Sequence, residues 1–435
     1  MTTKKRSTAS MKPQEVDSLV LRAVFGNDES EKDNARKSIM RSAFDLGIVP
    51  ASIQGLYEAS GKGLYKNTTV PAINVRGINY DMSRCIFRAA MSQNVGAFIF
   101  EIARSEAGYT AQKPAEYTAC VLAAAIREGF RGPVFIQADH TQVNAAKFKA
   151  DAEKELSGIR DYIKEAIAAG FLNIDIDSST IVDLEKPGLE QQQENNCKVT
   201  AAMTEYIRSI QPKGVTVSVG GEIGEVGGKN STVEDLKTFM AGYSSRLKRG
   251  TKGISKISVQ TGTTHGGVVL PDGSIAKVEL DFATLEVLSK MARDSYGMAG
   301  AVQHGASTLP EAAFGMFAQV GTAEVHLATG FQNIIFESKH FPSDLRETMY
   351  GYLAKNHASE REPGETDEQF YYKTRKRAWG PFKKETWGIP EHDKQAIRDE
   401  LQTELSMMFQ RLNVSGTDTL VAKYVPTASK FEWAF

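Results

Sequence analysis

Seven histidines occur in the 435 residues, and three of them stand where a strand-like stretch gives way to a polar one. His140 follows Asp139 directly after GPVFIQA (residues 132–138), His265 comes shortly after ISKISVQTG (254–262), and His304 sits at the end of GMAGAVQHG (297–305). Any one alone reads as a hydrogen-bonded loop histidine. Three at the ends of separate strands point to a metal. Neutral imidazole is a good zinc ligand, and a catalytic zinc takes three protein ligands and keeps one position open. Glu222, after GVTVSVGG (214–221), adds a carboxylate. Asp175 and Asp177 close FLNIDID (171–177), Ser178 follows it, and His326 lies within TAEVHLAT (322–329).

The elements that must position these residues form a regular series. Eight strand candidates alternate with helical stretches from VPAINV (70–75) to TAEVHLAT. Eight parallel βα units close a (β/α)8 TIM barrel, an α/β fold whose active sites lie at the C-terminal ends of the strands. An open doubly wound sheet is the alternative, but no Gly-x-Gly-x-x-Gly turn follows the first strand. Pro114 opens one helix, and Gly170 closes the long helical stretch 144–170. We divide the chain into an N-terminal tail and helical extension (1–50), the barrel (51–337) and a charged, aromatic-rich C-terminal addition (338–435).

Composition narrows the function. With 52 basic and 53 acidic residues the formal net charge is -1, so nothing overall suggests a nucleic-acid or membrane surface. The basic N-terminus lacks the apolar core of a secretory signal, and no apolar run is long enough to span a bilayer. The three cysteines form no Cys-x-x-Cys pair, which argues against a disulfide framework or zinc-thiolate site and fits a reducing cytoplasm.

Taken together, Asp-His after strand three, GEIGEVGG after strand five, GTTHG after strand six and HGAS after strand seven resemble the class II, metal-dependent, fructose-bisphosphate aldolases. The resemblance runs over residues 56–333 and resumes weakly near 381–388 and at the last helical stretch, 391–413. It implies that His140, His265 and His304 hold a divalent metal, normally zinc, with Glu222 as a ligand in an alternative position. It implies that Asp139 moves the proton at the aldehyde oxygen. Asp177 would support the metal or a second ion, or merely cap a loop, and a monovalent cation is allowed beside the divalent one. Gly266, Gly305, Ser307 and Thr329 would bind the substrate's phosphate, with Asn74 of the first strand among the substrate-binding residues. The physical reading of HGASTLPEAAF (304–314) agrees, because backbone N–H groups before Pro310 and the Ser307 hydroxyl suit an anion. Ser307 as a simple N-cap is the plainer alternative. The implied partner is a small sugar phosphate, and the implied assembly a homodimer or homotetramer.

Two places depart from the family pattern. After Gly228 the acidic residues are replaced by Lys229, Asn230 and Ser231. In the eighth strand the family's Lys-x-Asn-x-Asp-Thr is replaced by Glu324, His326, Ala328 and Thr329. His326 is a new ligand, a catalytic acid/base or a packed barrel histidine. The expected enzyme is a zinc aldolase-type lyase whose aldehyde pocket is rebuilt. A metal-dependent epimerase, another carbon–carbon lyase and a non-catalytic aldolase-like subunit are the alternatives. The long segment 336–387 could also supply the missing acid/base.

Overall fold

In the computed structural model the described residues are 12–224, 229–262, 270–271 and 280–426. Nine parallel strands are present among them: β1 (Ile48–Ala51), β2 (Val70–Asn74), β3 (Ile99–Ala103), β4 (Gly132–Gln142), β5 (Asn173–Asp177), β6 (Ser218–Glu222), β7 (Lys256–Val259), β8 (Ala301–Gln303) and β9 (Glu324–Leu327). From β2 to β9 each strand pairs with the next, and β9 pairs back with β2, so eight strands close the TIM barrel. β1 is additional and lies along the first half of β4.

Two expectations about local structure are corrected. The helical stretch 144–170 is two helices, Ala145–Ala150 and Ala152–Ala168. Asp151 breaks it with extended backbone and caps the second helix by accepting from the Lys154 N–H at 3.0 Å. The Asp139–His140 pair does not follow β4 but lies inside it. Successive strand residues point to opposite faces, so a regular strand could not aim both side chains at one ligand. The pairing of β4 with β5 slips between Ala138 and Thr141, and His140 has a φ of 38°. This bulge lets both residues face the barrel mouth.

The barrel axis is unusually polar. Glu101, Gln137, Lys256 and Glu324 are at most 1% exposed, and Asp175 is 6% exposed. Lys256 Nζ lies 2.8 Å from Asp175 Oδ2 and donates to Gln137 Oε1 at 2.8 Å; it also pairs with Glu324. Tyr57 from below donates to Glu324. A side chain at position 220 would strike the Asp175 carboxylate, so Gly220 makes the room for this pair.

The described segments before and after the barrel are packed on it. Helices Pro13–Phe25 and Glu29–Asp45 lie against helix Pro114–Glu128. At the other end, Trp379 donates to Gln332 Oε1 at 3.1 Å and packs its ring, tilted, 4.7 Å from that of Phe336, and Arg375 pairs with Glu337 at 2.9 Å. These contacts draw the segment 358–378 over the barrel mouth. Helix Glu391–Arg411 packs on Asn79–Ser92, with Arg398 buried against Asp81.

Candidate active site

A cavity of about 440 Å³ opens at the C-terminal end of the barrel. Asn74, Asp139, His140, His304, Gly305, Ser307, His326 and Thr329 all line it. Residues from four different strands and their following loops thus meet, though up to 255 positions separate them in the chain. His265 and Gly266 lie outside the described residues.

Three imidazoles form a row. The ring centroids of His140 and His304 are 4.2 Å apart, and those of His304 and His326 are 4.1 Å apart. One ligand atom from each of Asp139, His140 and His304 lies within 4.8 Å of the others. Three imidazolium ions this close would repel one another unless the carboxylates packed against the rings offset them.

Each ring is oriented by a neighbour. His140 Nδ1 lies 3.2 Å from Asp177 Oδ2 and 3.4 Å from Glu222 Oε2. A carboxylate only accepts, so Nδ1 carries the proton and Nε2 is the side suited to a metal. Asp177 is itself held, accepting from Gln142 Nε2 at 2.6 Å and from the Ser179 hydroxyl at 2.8 Å. It therefore stands behind His140, and Glu222 stands beside it. His304 Nε2 is 3.1 Å from the Ser258 hydroxyl. Burial disfavours charge on His140, but Asp139 and Glu222 outweigh it and hold its pKa well above the ordinary value. Burial likewise opposes charge on Asp139, yet His140 and His326 keep its carboxyl well below the usual range.

His326 is embedded among carboxylates. Its Nδ1 is 3.0 Å from Glu101 Oε2 and 3.1 Å from Asp139 Oδ1, and its Nε2 is 2.7 Å from Glu324 Oε1. Burial, then the nearby Asp139 charge, pushes the Glu101 carboxyl up to about 7.

The expected anion cradle has a different construction from that read in the sequence. Ala306–Thr308 form a short 3-10 turn separate from helix Glu311–Gln319, and Pro310 is the cap rather than the first helical residue. Ser307 does not cap that helix. Its hydroxyl accepts from the Gly330 N–H at 3.0 Å, in the first turn of helix Thr329–Glu337. A side chain at Gly330 would strike the Ser307 carbonyl, so glycine permits the close approach.

Several cavity residues were not singled out from the sequence. Glu101 sits in the apolar run FIFEIA, and Lys256, beneath the cavity, interrupts its strand in the same way; charge at an inward register position was the available signal. Arg76, held by Glu106 at 2.7 Å, lines the cavity. So do Glu362, Glu365, Tyr372, Lys373 and Lys376 from the C-terminal addition. Lys229 and Asn230, which stand where the family has acidic residues, are exposed and do not line it; Asn230 donates to Asp281 at 3.1 Å.

All three cysteines are buried free thiols. No helix among the described residues is long and apolar enough to cross a membrane.

Two solved structures share the fold, and a third aligns with the chain. The fructuronate-tagaturonate epimerase UxaE of Cohnella laeviribosi superposes with a TM-score of 0.60 at 12% identity, covering 88% of this chain and 86% of that one. A Sinorhizobium meliloti 1021 protein described as a probable tagatose 6 phosphate kinase gives 0.53 at 16% identity, covering 82% and 99%. The fructose-bisphosphate aldolase of Campylobacter jejuni gives 0.49 at 17% identity, covering 86% and 98%. No match was found among curated protein sequences. The family model for class II fructose-bisphosphate aldolase matches residues 59–380. That match spans the barrel and the segment over its mouth, and the chain belongs to the class II fructose-bisphosphate aldolase family.

Proposed function

We propose that this protein is a divalent-metal-dependent aldolase that cleaves a ketose phosphate other than fructose 1,6-bisphosphate. The observation that carries the reading is the meeting of His140 and His304, 4.2 Å apart, with Asp139 and the Gly305–Ser307–Thr329 cradle in one cavity. Two imidazoles and adjacent carboxylates are a donor set that fits zinc or a similar ion. When bound, that ion supplies the Lewis acidity that stabilises charge developing on the donor half of the substrate.

The chain's own residues do the rest. The Ser307 hydroxyl and the start of helix Thr329–Glu337 receive the phosphate, where N–H groups and the helix dipole favour an anion. Asp139, kept ionised by the neighbouring imidazoles, takes the proton of the hydroxyl on the aldehyde side as the carbon–carbon bond breaks. In the reverse direction it returns that proton to the aldehyde oxygen. Glu362, Glu365 and Lys373 extend over the mouth, so the C-terminal addition helps to exclude water. No Schiff-base lysine is required; Lys256 is buried in ion pairs beneath the site.

Substrate choice rests on Ala328, His326 and the basic residues Arg76 and Lys376, which give the aldehyde end a shape and charge of its own. The buried free thiols support a reducing cytoplasm as the protein's compartment. The likeness to UxaE is one of fold.

The test is aldehyde release from a panel of ketose phosphates and sugar-acid phosphates by metal-loaded protein, before and after EDTA. Metal-dependent cleavage of one panel member is expected, with His304→Ala losing both metal and activity. Activity that survives EDTA would overturn the metal reading. Efficient cleavage of fructose 1,6-bisphosphate, with kcat/KM of roughly 10⁴–10⁸ M⁻¹s⁻¹, would overturn the changed substrate.

A further inference from the structure

Behind His140 lies a second cavity, of about 560 Å³. It is bounded by residues that follow β3, β4 and β5, whereas Gly305, Ser307 and Thr329 of the anion cradle follow β8 and β9. Those two groups of strands face each other across the closed barrel. Arg76, Glu106, His140 and Lys376 line both cavities, so the two meet there. A substrate with its phosphate in the cradle and its reacting bond beside Asp139 and His140 therefore points its aldehyde half toward the second cavity.

Lys376 stands in the 3-10 turn Arg375–Ala378 of the C-terminal addition. That turn is pinned on several sides. Arg375 pairs with Glu337, and the Arg377 guanidinium lies 5.3 Å from the centre of the Tyr109 ring. Trp379 packs on Gly77, where any side chain would strike the indole. Gly380 packs on the Tyr109 carbonyl with the same lack of room. The turn is thus held against the residue next to Arg76 and against helix Arg104–Tyr109. The backbone of Lys376 is fixed by folding before any ligand arrives, which lowers the cost of binding one.

The carboxylates around the second cavity are engaged. Glu106 is held by Arg76 at 2.7 Å and Glu155 by Arg104 at 3.1 Å, while Asp177 and Glu222 lie against His140. Lys147 and Lys376 also line the cavity, and neither forms an ion pair among the described residues. Lys147 is exposed, whereas Lys376 is half-buried. Burial and the charges of Arg76 and Arg377 lower the Lys376 pKa. A half-buried ammonium crowded by cations and without a counter-charge is unfavourable until an anion arrives.

We propose that Lys376, assisted by Lys147 on the solvent side, is the subsite for an anionic group at the far end of the aldehyde half. The substrate then carries a negative group at each end, one in the Ser307–Thr329 cradle and one at Lys376. A lysine presents a point charge on a flexible stem rather than a planar fork, so a terminal phosphate and a terminal carboxylate both suit it. The assignment rests on the proposed function for the direction in which the substrate lies.

Condensation by the metal-loaded full chain tests it, with dihydroxyacetone phosphate as donor and glyceraldehyde, glyceraldehyde 3-phosphate or succinic semialdehyde as acceptor. These acceptors end in a hydroxyl, a phosphate and a carboxylate. The wild type should favour a charged acceptor over glyceraldehyde in kcat/KM, and the one favoured identifies the anion. In Lys376→Met that preference should fall by roughly 10–100-fold, the worth of a hydrogen bond to a charged group. Lys376→Arg should keep most of it, and Lys147→Met should lose a smaller part. Condensation without preference for a charged acceptor, or an equal preference in Lys376→Met, overturns the subsite and leaves the proposed function standing. Absence of condensation with every acceptor overturns the proposed function instead. Calorimetric titration with 3-phosphoglycerate then decides the subsite, which falls if Lys376→Met binds as tightly as the wild type and stands if binding weakens by the same 10–100-fold.

Discussion

His140 Nδ1 lies 3.2 Å from the Asp177 carboxylate, which is fixed in turn by Gln142 and Ser179. An outer carboxylate of this kind typically accounts for 10–100-fold in metal affinity. Asp177→Asn should therefore bind metal roughly 10–100-fold more weakly, measured by competition with a chelator, while the fold is kept. Unchanged affinity would reduce Asp177 to a loop cap.

Asp139 is assigned the proton. Asp139→Asn should retain the ion at His140 and His304 and lose turnover by about 10²–10⁴-fold. A single-turnover assay on metal-loaded protein measures it. A rate within a few-fold of wild type would move the role to another cavity residue, such as Glu365.

Lys376 lines the cavity, and burial together with the neighbouring Arg76 and Arg377 lowers its pKa. A cation crowded by cations is stabilised by an arriving anion. Lys376→Ala should lower kcat/KM on the cleaved substrate by roughly 10–100-fold, the worth of a hydrogen bond to a charged group. The effect should be smaller on a substrate lacking its second anionic group, and equal effects on both would remove Lys376 from substrate recognition.

Lys256 tests the polar axis. Lys256→Met leaves Asp175 and Glu324 without their cation, and breaking a buried pair costs about 3–5 kcal/mol. Denaturant unfolding of the metal-free protein should show that loss. A change below about 1 kcal/mol would mean that water or protonation compensates the carboxylates.

The sequence by itself determined the alternation of strands and helices from Val70 onward and that Asp139, His140 and His304 lie toward the C-terminal side of their strands. Those signals are local: apolar runs, periodicity and capping residues such as Pro114 are set within a few turns of chain. It did not determine that Asp139 and His140 lie within β4, because a bulge with left-handed φ at a histidine arises from pairing with β5. Nor did it show whether His326 would be a ligand, an acid/base or a packed residue. Its environment comes from Glu101, Asp139 and Glu324, which only barrel closure brings to one ring. The same holds for Lys373 and Lys376, which reach the mouth because Trp379 and Arg375 dock on helix Thr329–Glu337. Contacts between residues far apart in the chain depend on which surfaces bury together, and no local pattern encodes that choice.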